Sequence, residues 1–234
     1  MGKINLITNN KSCEVELQIY STHQTSLRVV GFGGTNERYF DRNVITAGNP
    51  TILRFGLPVS PKNLTIKCDK KVTIKPLINK LNNKFQFNSK IIEFCDFAKE
   101  FSQNIKNYPP NKYYKSRNGK FYIKHAPSII GKNGSKETPA RIHKKKHYIE
   151  VSNEWFNDFT IPMRVFVLCH EFSHIFLNKD SLSETEADLN GAKLYLDMGF
   201  PVIELMYSFT KIFGESEQTT KRAGLIFNWL KTNE

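Results

Sequence analysis

The feature that most constrains this chain is a nearly continuous apolar stretch, Ile161 to Leu177, with His170, Glu171, Ser173 and His174 set inside it. Thr160 is placed to cap a helix there, and Pro162 falls in its first turn, where a missing N–H costs nothing. A helix that is apolar almost all round must be buried. Burial makes His170, Glu171 and His174 costly unless something satisfies them. Residues four apart stand one turn above each other on a helix face. His170 and His174 can therefore offer two imidazole nitrogens to one metal ion, with Glu171 beside it to activate a water. The plain alternative is a pair of core histidines bonded to their neighbours. Three such groups together on one central helix favour metal.

The next segment adds acids. Asn178 to Leu182 reads as a turn, and Ser183 with Glu186 three residues on forms a capping box. A second helix is expected from about Glu184 to Met198, stopped by Gly199 with Pro201 just beyond. So short a connection makes the two helices antiparallel neighbours and brings the start of the second near the end of the first. Glu184 and Asp188 share a face, whereas Glu186 points about 200° away from Glu184 and serves only the helix N-terminus. Glu184 is the expected third ligand, and Asp188 an acceptor that orients a ligating histidine. Asp180, in the turn, is the reserve ligand.

His170-Glu171-x-x-His174 followed by Glu184-x-x-Ala187-Asp188 resembles the gluzincin metallopeptidases, closest to the ImmA/IrrE-like and HtpX-like patterns. The resemblance covers about Tyr148 to Phe200. It implies zinc held by His170, His174 and Glu184, with Glu171 as general base and Asp188 behind the ligands. It also implies a zincin-like fold and hydrolysis of a peptide bond by a metal-bound water. The HtpX-like enzymes span membranes. The longest apolar run here, near Val165, is too short for that, so the soluble branch fits better. Tyr195, Tyr207 and His147 are candidates to steady the developing oxyanion, and nothing in the sequence selects among them.

The chain has 234 residues, enough for one sizeable domain or two small ones, and a formal net charge of +12. Its lysines cluster at Lys67–Lys84, at Lys106–Lys136 and in the run Arg141 to His147. A basic surface attracts anionic partners, but aromatic residues hardly interleave, so any nucleic-acid contact is expected to be non-specific. His143 and His147 belong to that run and are expected to be exposed rather than ligands. The four cysteines are scattered and expected to be reduced. The N-terminus lacks the apolar core of a signal peptide. A cytoplasmic protein is expected, or a virion-associated one if phage-encoded.

An α+β chain is expected, in two domains. Residues 1–74 read as short β-branched and aromatic runs separated by turns, among them 33–36 and 47–50. They predict a small β-sandwich or barrel whose task is docking, followed by a linker at Asp69–Lys75. Residues 75–234 predict a mainly helical zincin-like domain with a small sheet. Its expected elements are a helix from Ser89 to about Lys106, a strand at Phe121–Lys124, and one edge strand over Arg141–Ser152 to hold substrate. Two amphipathic tail helices complete it. The reading is a zinc peptidase acting on a protein or peptide. The alternative, to which the β domain and basic surface point, is an assembly subunit built on a peptidase-like fold, for example in a viral particle.

Overall fold

The computed structural model describes residues 2–9, 11–32, 38–45, 50–59, 61, 63–68, 72–81, 86–131, 134, 138–212 and 217–233. The turns expected at 33–36 and 47–49, and residues 69–71 of the expected linker, lie outside them. The fold is mixed α and β, with six α-helices among the described residues. The chain divides into two compact units, Met1–Lys84 with Met198–Pro201, and Phe85–Asp197 with Val202–Glu234.

The first unit holds β1 (Gly2–Ile7), β2 (Cys13–Tyr20), β3 (Ser26–Phe32), β4 (Arg38–Ile45), β5 (Thr51–Leu57), β6 (Asn63–Cys68) and β7 (Thr73–Lys80). These form two antiparallel sheets, ordered β1-β6-β3-β4 and β5-β2-β7, and neither closes into a barrel. Period-two patterning explains them. Val15, Leu17 and Ile19 of β2 are buried, as are Leu27 and Val29 of β3 and Leu64 and Ile66 of β6. The pairing of Val29 with Ile66 and of Val15 with Phe55 puts these apolar side chains opposite one another. The domain boundary expected at residue 74 falls inside β7, and the linker expected up to Lys75 is strand from Thr73 onward.

The second unit contains α1 (Ser89–Gln103), β8 (Lys112–Lys115), β9 (Tyr122–Ala126), β10 (Ala140–His143) and β11 (Tyr148–Ser152). It continues with α2 (Asn153–Asp158), α3 (Ile161–Phe176), α4 (Glu184–Asp197), α5 (Val202–Ile212) and α6 (Glu217–Asn233). Its sheet runs β10-β11-β9-β8, with the β11–β9 pair parallel and the others antiparallel. The expected single strand over Arg141–Ser152 is a hairpin instead. Its turn closes as the His143 carbonyl accepts from the N–H groups of Lys146 and His147, with His147 at φ +53°. A four-residue turn rich in lysine gives no Gly, Asn or Pro mark, so the alternation reads as continuous. The edge strand is therefore β10, and β11 lies inside the sheet.

Helix α3 is the core. Every residue from Ile161 to Cys169 is buried, and α1, α4, α5, β10 and β11 all pack on it. Phe172 stacks on Phe94 of α1 with ring centroids 4.0 Å apart, and Phe166 meets Phe209 of α5 at 5.2 Å. Each such side chain is worth about 1.5–3 kcal/mol of burial. Arg164, the lone charge in the apolar run, is buried and donates to the Phe156 and Ser102 carbonyls at 2.5 and 2.8 Å. Those bonds meet the cost of enclosing it. Helix α4 begins where Ser183 Oγ accepts the Glu186 N–H at 3.2 Å. It meets α3 through Asp188, Gly191 and Tyr195, a stripe of buried positions three and four apart. At Gly191 a Cβ would stand 2.9 Å from both the Cα and the N of His170.

Two expectations follow for the fold. Gly191→Ala forces rigid backbone apart and should cost roughly 1–3 kcal/mol, the usual penalty for overpacking a tight interior. A denaturant melt against wild type measures it, and an unchanged midpoint would show that α4 gives way freely. The second concerns Glu150 of β11, whose side chain is 4% exposed and is bonded by Lys124 at 2.6 Å, Arg141 at 2.8 Å and His143 at 3.2 Å. Burial pushes its carboxyl up, but the hydrogen bonds from Lys124, His143 and Arg141, with the Arg141 charge, outweigh burial and hold it at about 2. A depressed folded-state pKa contributes stability above the unfolded value of 4.5, lost as pH falls towards about 2. The thermal midpoint of Glu150→Gln should lie below wild type at neutral pH and converge with it across that window. A gap that stays constant with pH would refute the assignment.

Candidate metal centre

The α3 spacing puts His170 and His174 on one face, with their Nε2 atoms 3.2 Å apart. The first turn of α4 brings Glu184 to them: its Oε2 lies 3.4 Å from His170 Nε2 and its Oε1 3.5 Å from His174 Nε2. One donor atom from each of the three residues lies within 4.8 Å of the other two. Among the described residues this is the one such group of His, Cys, Asp or Glu.

Each histidine is held from behind. His170 Nδ1 is 2.9 Å from Asp188 Oδ1, and His174 Nδ1 is 3.1 Å from the Ser181 carbonyl. Both acceptors take a proton on Nδ1, which leaves Nε2 as the atom facing the cluster. The donors fit a small dication. Ligands at about 2.0–2.1 Å in a tetrahedron sit roughly 3.3 Å apart; the two Nε2 atoms stand 3.2 Å apart, and Glu184 brings Oε2 to 3.4 Å from the first and Oε1 to 3.5 Å from the second.

The charge states point the same way. Burial disfavours a charged His170, yet the bonds to Asp188 and Glu184 overcome it and push its pKa up to about 9. Its bond to His170 is the first cause of a Glu184 carboxyl lowered to about 2 against the opposing effect of burial, with the charges of His170 and Arg222 adding to it. His174, buried and next to that positive neighbour, is pushed down and stays neutral.

Glu171 points into the same cavity, which has a volume of about 480 Å³. The cavity is lined by Arg141, Ile142 and Lys144 at the edge-strand hairpin, by Phe166, Val167 and the histidines of α3, and by Leu182 and Glu184. Burial raises the Glu171 carboxyl, and the nearby Glu184 charge raises it further, while His170 and the Ile142 N–H oppose the rise. The net direction is upward, towards the protonated form.

The sequence-predicted residues fall as follows. His170, Glu171, His174, Glu184 and Asp188 come together. Asp180, the reserve ligand, is occupied in the turn, where its Oδ1 accepts the Leu182 N–H at 2.9 Å. Glu186 does not complete a capping box. Its carboxylate accepts the N–H groups of Lys179 and Asp180 at 2.9 and 3.2 Å and so holds the turn between α3 and α4. Tyr195, Tyr207 and His147 are absent from the cavity lining. Tyr195 is buried against Phe166, with ring centroids 6.1 Å apart. The polar side chains lining the cavity besides the cluster and Glu171 are Thr138, Arg141, Lys144 and Ser181. His143 is half-buried and paired with Glu150 rather than exposed. The four cysteines are buried.

Two residues of the site carried no reading in the sequence. Gly191 has a signal, a glycine inside a helix where it costs about 1 kcal/mol against alanine. Arg222 of α6 has none. It sits among other cations on a tail helix, yet its Nε and Nη2 bond Asp188 at 2.6 and 2.9 Å. No helix among the described residues is long and apolar enough to cross a membrane. Comparison of the chain with protein-family models, with curated proteins and with solved structures finds no match.

Proposed function

We propose that the protein is a zinc-dependent peptidase of gluzincin type, its first unit a two-sheet sandwich and its second a zincin-like catalytic domain. One observation carries the reading. Three donor atoms of suitable type converge in a cavity wall beside a half-buried Glu171. His170 and His174 through Nε2, and Glu184 through a carboxylate oxygen, would hold the ion. When bound, zinc supplies Lewis acidity, lowering the pKa of water and polarising a carbonyl.

The chain's own residues supply the rest. Glu171 takes a proton from the attacking water and hands it to the leaving amine, a task suited to a carboxyl raised by burial. Asp188 and the Ser181 carbonyl keep both imidazoles aimed. Edge strand β10 lines the cavity through Ala140, Arg141 and Ile142 and so offers backbone to an extended peptide. Phe166, Val167, Leu182 and Ile212 give the cavity an apolar side that excludes water and accepts an apolar side chain. The partner is then a protein or peptide, and the sandwich unit serves to dock it or a larger assembly.

The test pairs metal content with cleavage of a diverse peptide library. Glu171→Gln should keep zinc and lose about 10²–10⁴-fold in rate. His174→Ala should lose both. Added zinc should raise the thermal midpoint of metal-free wild type, equivalent to about 2.7 kcal/mol at a hundredfold excess over Kd, and should leave His174→Ala unmoved. Full cleavage by Glu171→Gln would sink the mechanism, and a midpoint indifferent to zinc would sink the metal.

A further inference from the structure

We infer that Arg222, on the C-terminal helix α6, is a positioning residue that fixes how both acids of α4 face the metal. The inference rests on the metal-site reading above. Arg222 engages Asp188 with a two-point fork, Nε to Oδ2 at 2.6 Å and Nη2 to Oδ1 at 2.9 Å. The same Nη2 reaches Glu184 Oε2 at 3.3 Å. The guanidinium is only 12% exposed, so it is part of the site rather than a surface charge.

Its position has two consequences. Asp188 Oδ1 faces both Arg222 and His170 Nδ1, at 2.9 Å each. Fixing the plane of that carboxylate fixes which way the His170 ring points. Glu184 is half exposed and has a long, freely turning side chain. The Oε2 that Arg222 holds lies 3.4 Å from His170 Nε2, and Oε1 faces His174 Nε2 at 3.5 Å. Arg222 thereby fixes the rotation of the Glu184 carboxylate, and with it which oxygen each imidazole meets.

Charge and position predict opposite signs, which makes the role testable. By charge alone, a cation beside a dication weakens binding, so neutralising Arg222 would tighten it. If position governs, losing the fork weakens binding even when the charge is kept.

Zinc affinity of the full chain is measured by competition with a chelator for wild type, R222K, R222Q and R222M. The visible spectrum is recorded with cobalt in place of zinc, since four-coordinate cobalt absorbs far more strongly than five-coordinate. We expect R222K to bind zinc about 10–100-fold more weakly than wild type. R222M should also bind more weakly, and R222Q, with one donor at similar reach, should fall between them and wild type. Cobalt bands should change in position and intensity from wild type to R222K as the released Glu184 carboxylate turns and alters the coordination. If a variant fails to fold without metal, the others and the cobalt spectra still decide. Wild-type affinity in R222K, tighter binding in R222M, or unchanged cobalt spectra would each overturn the inference. Should wild type itself bind no zinc, the metal-site reading falls first and this falls with it.

Discussion

Packed helices usually keep their axes about 8–10 Å apart because side chains stand between them. At His170 that separation is set by a residue with no side chain. Gly191 lies so close to the α3 backbone that a Cβ would come within 2.9 Å of His170 N. Asp188 and Glu184 precede Gly191 by three and seven residues and share its stripe of α4. The approach at Gly191 therefore sets how far their carboxylates must reach. Asp188 meets His170 Nδ1 at 2.9 Å, and Glu184 meets both Nε2 atoms at 3.4 and 3.5 Å. Opening the crossing by even a methyl radius would carry these contacts past the range in which hydrogen bonds and ligation act.

Three glutamates within sixteen residues show how placement, not residue type, assigns a role. Glu171 follows His170 on the buried helix and faces the cavity, where burial raises its carboxyl towards the protonated form. Glu184 opens the next helix opposite two imidazoles, and their pull lowers it to about 2. Glu186 points the other way and takes two backbone N–H groups of the preceding turn. The first is suited to move protons, the second to hold a cation, and the third to fix the loop that carries α4 into place. Only the helical angle between Glu184 and Glu186 separates the last two.

That angle, and the four-residue spacing of His170 and His174, are local quantities, which is why they were legible in the sequence. The same holds for Ser183 as a helix cap and for the alternation of Val15, Leu17 and Ile19; Thr160 takes the N-cap position, but its hydroxyl donates to Glu204 rather than capping. What was not legible depends on contacts between distant segments. Arg222 lies thirty-four positions from Asp188 and joins it only because α6 returns to α4. The Arg141–Ser152 hairpin was hidden for a different reason. A turn built from Lys144, Lys145 and Lys146 with a positive φ at His147 has no residue that announces it, so one strand was read where two stand side by side. The consequence is functional, since it moves the exposed edge from β11 to β10.

The centre's electrostatics are opposite in sign to those of the whole molecule. A chain of net charge +12 gathers Glu171, Glu184 and Asp188 around two imidazoles and sets one guanidinium against them. Arg222 balances Asp188 through its fork, and the shared positive charge on His170 balances Glu184. Donor atoms of His170, His174 and Glu184 stand within 4.8 Å of one another. A dication bound there, as proposed, would add the positive charge that Glu171 still lacks. A site already assembled in this way meets the reorganisation cost of binding in the folding of α3 against α4, before any ion arrives.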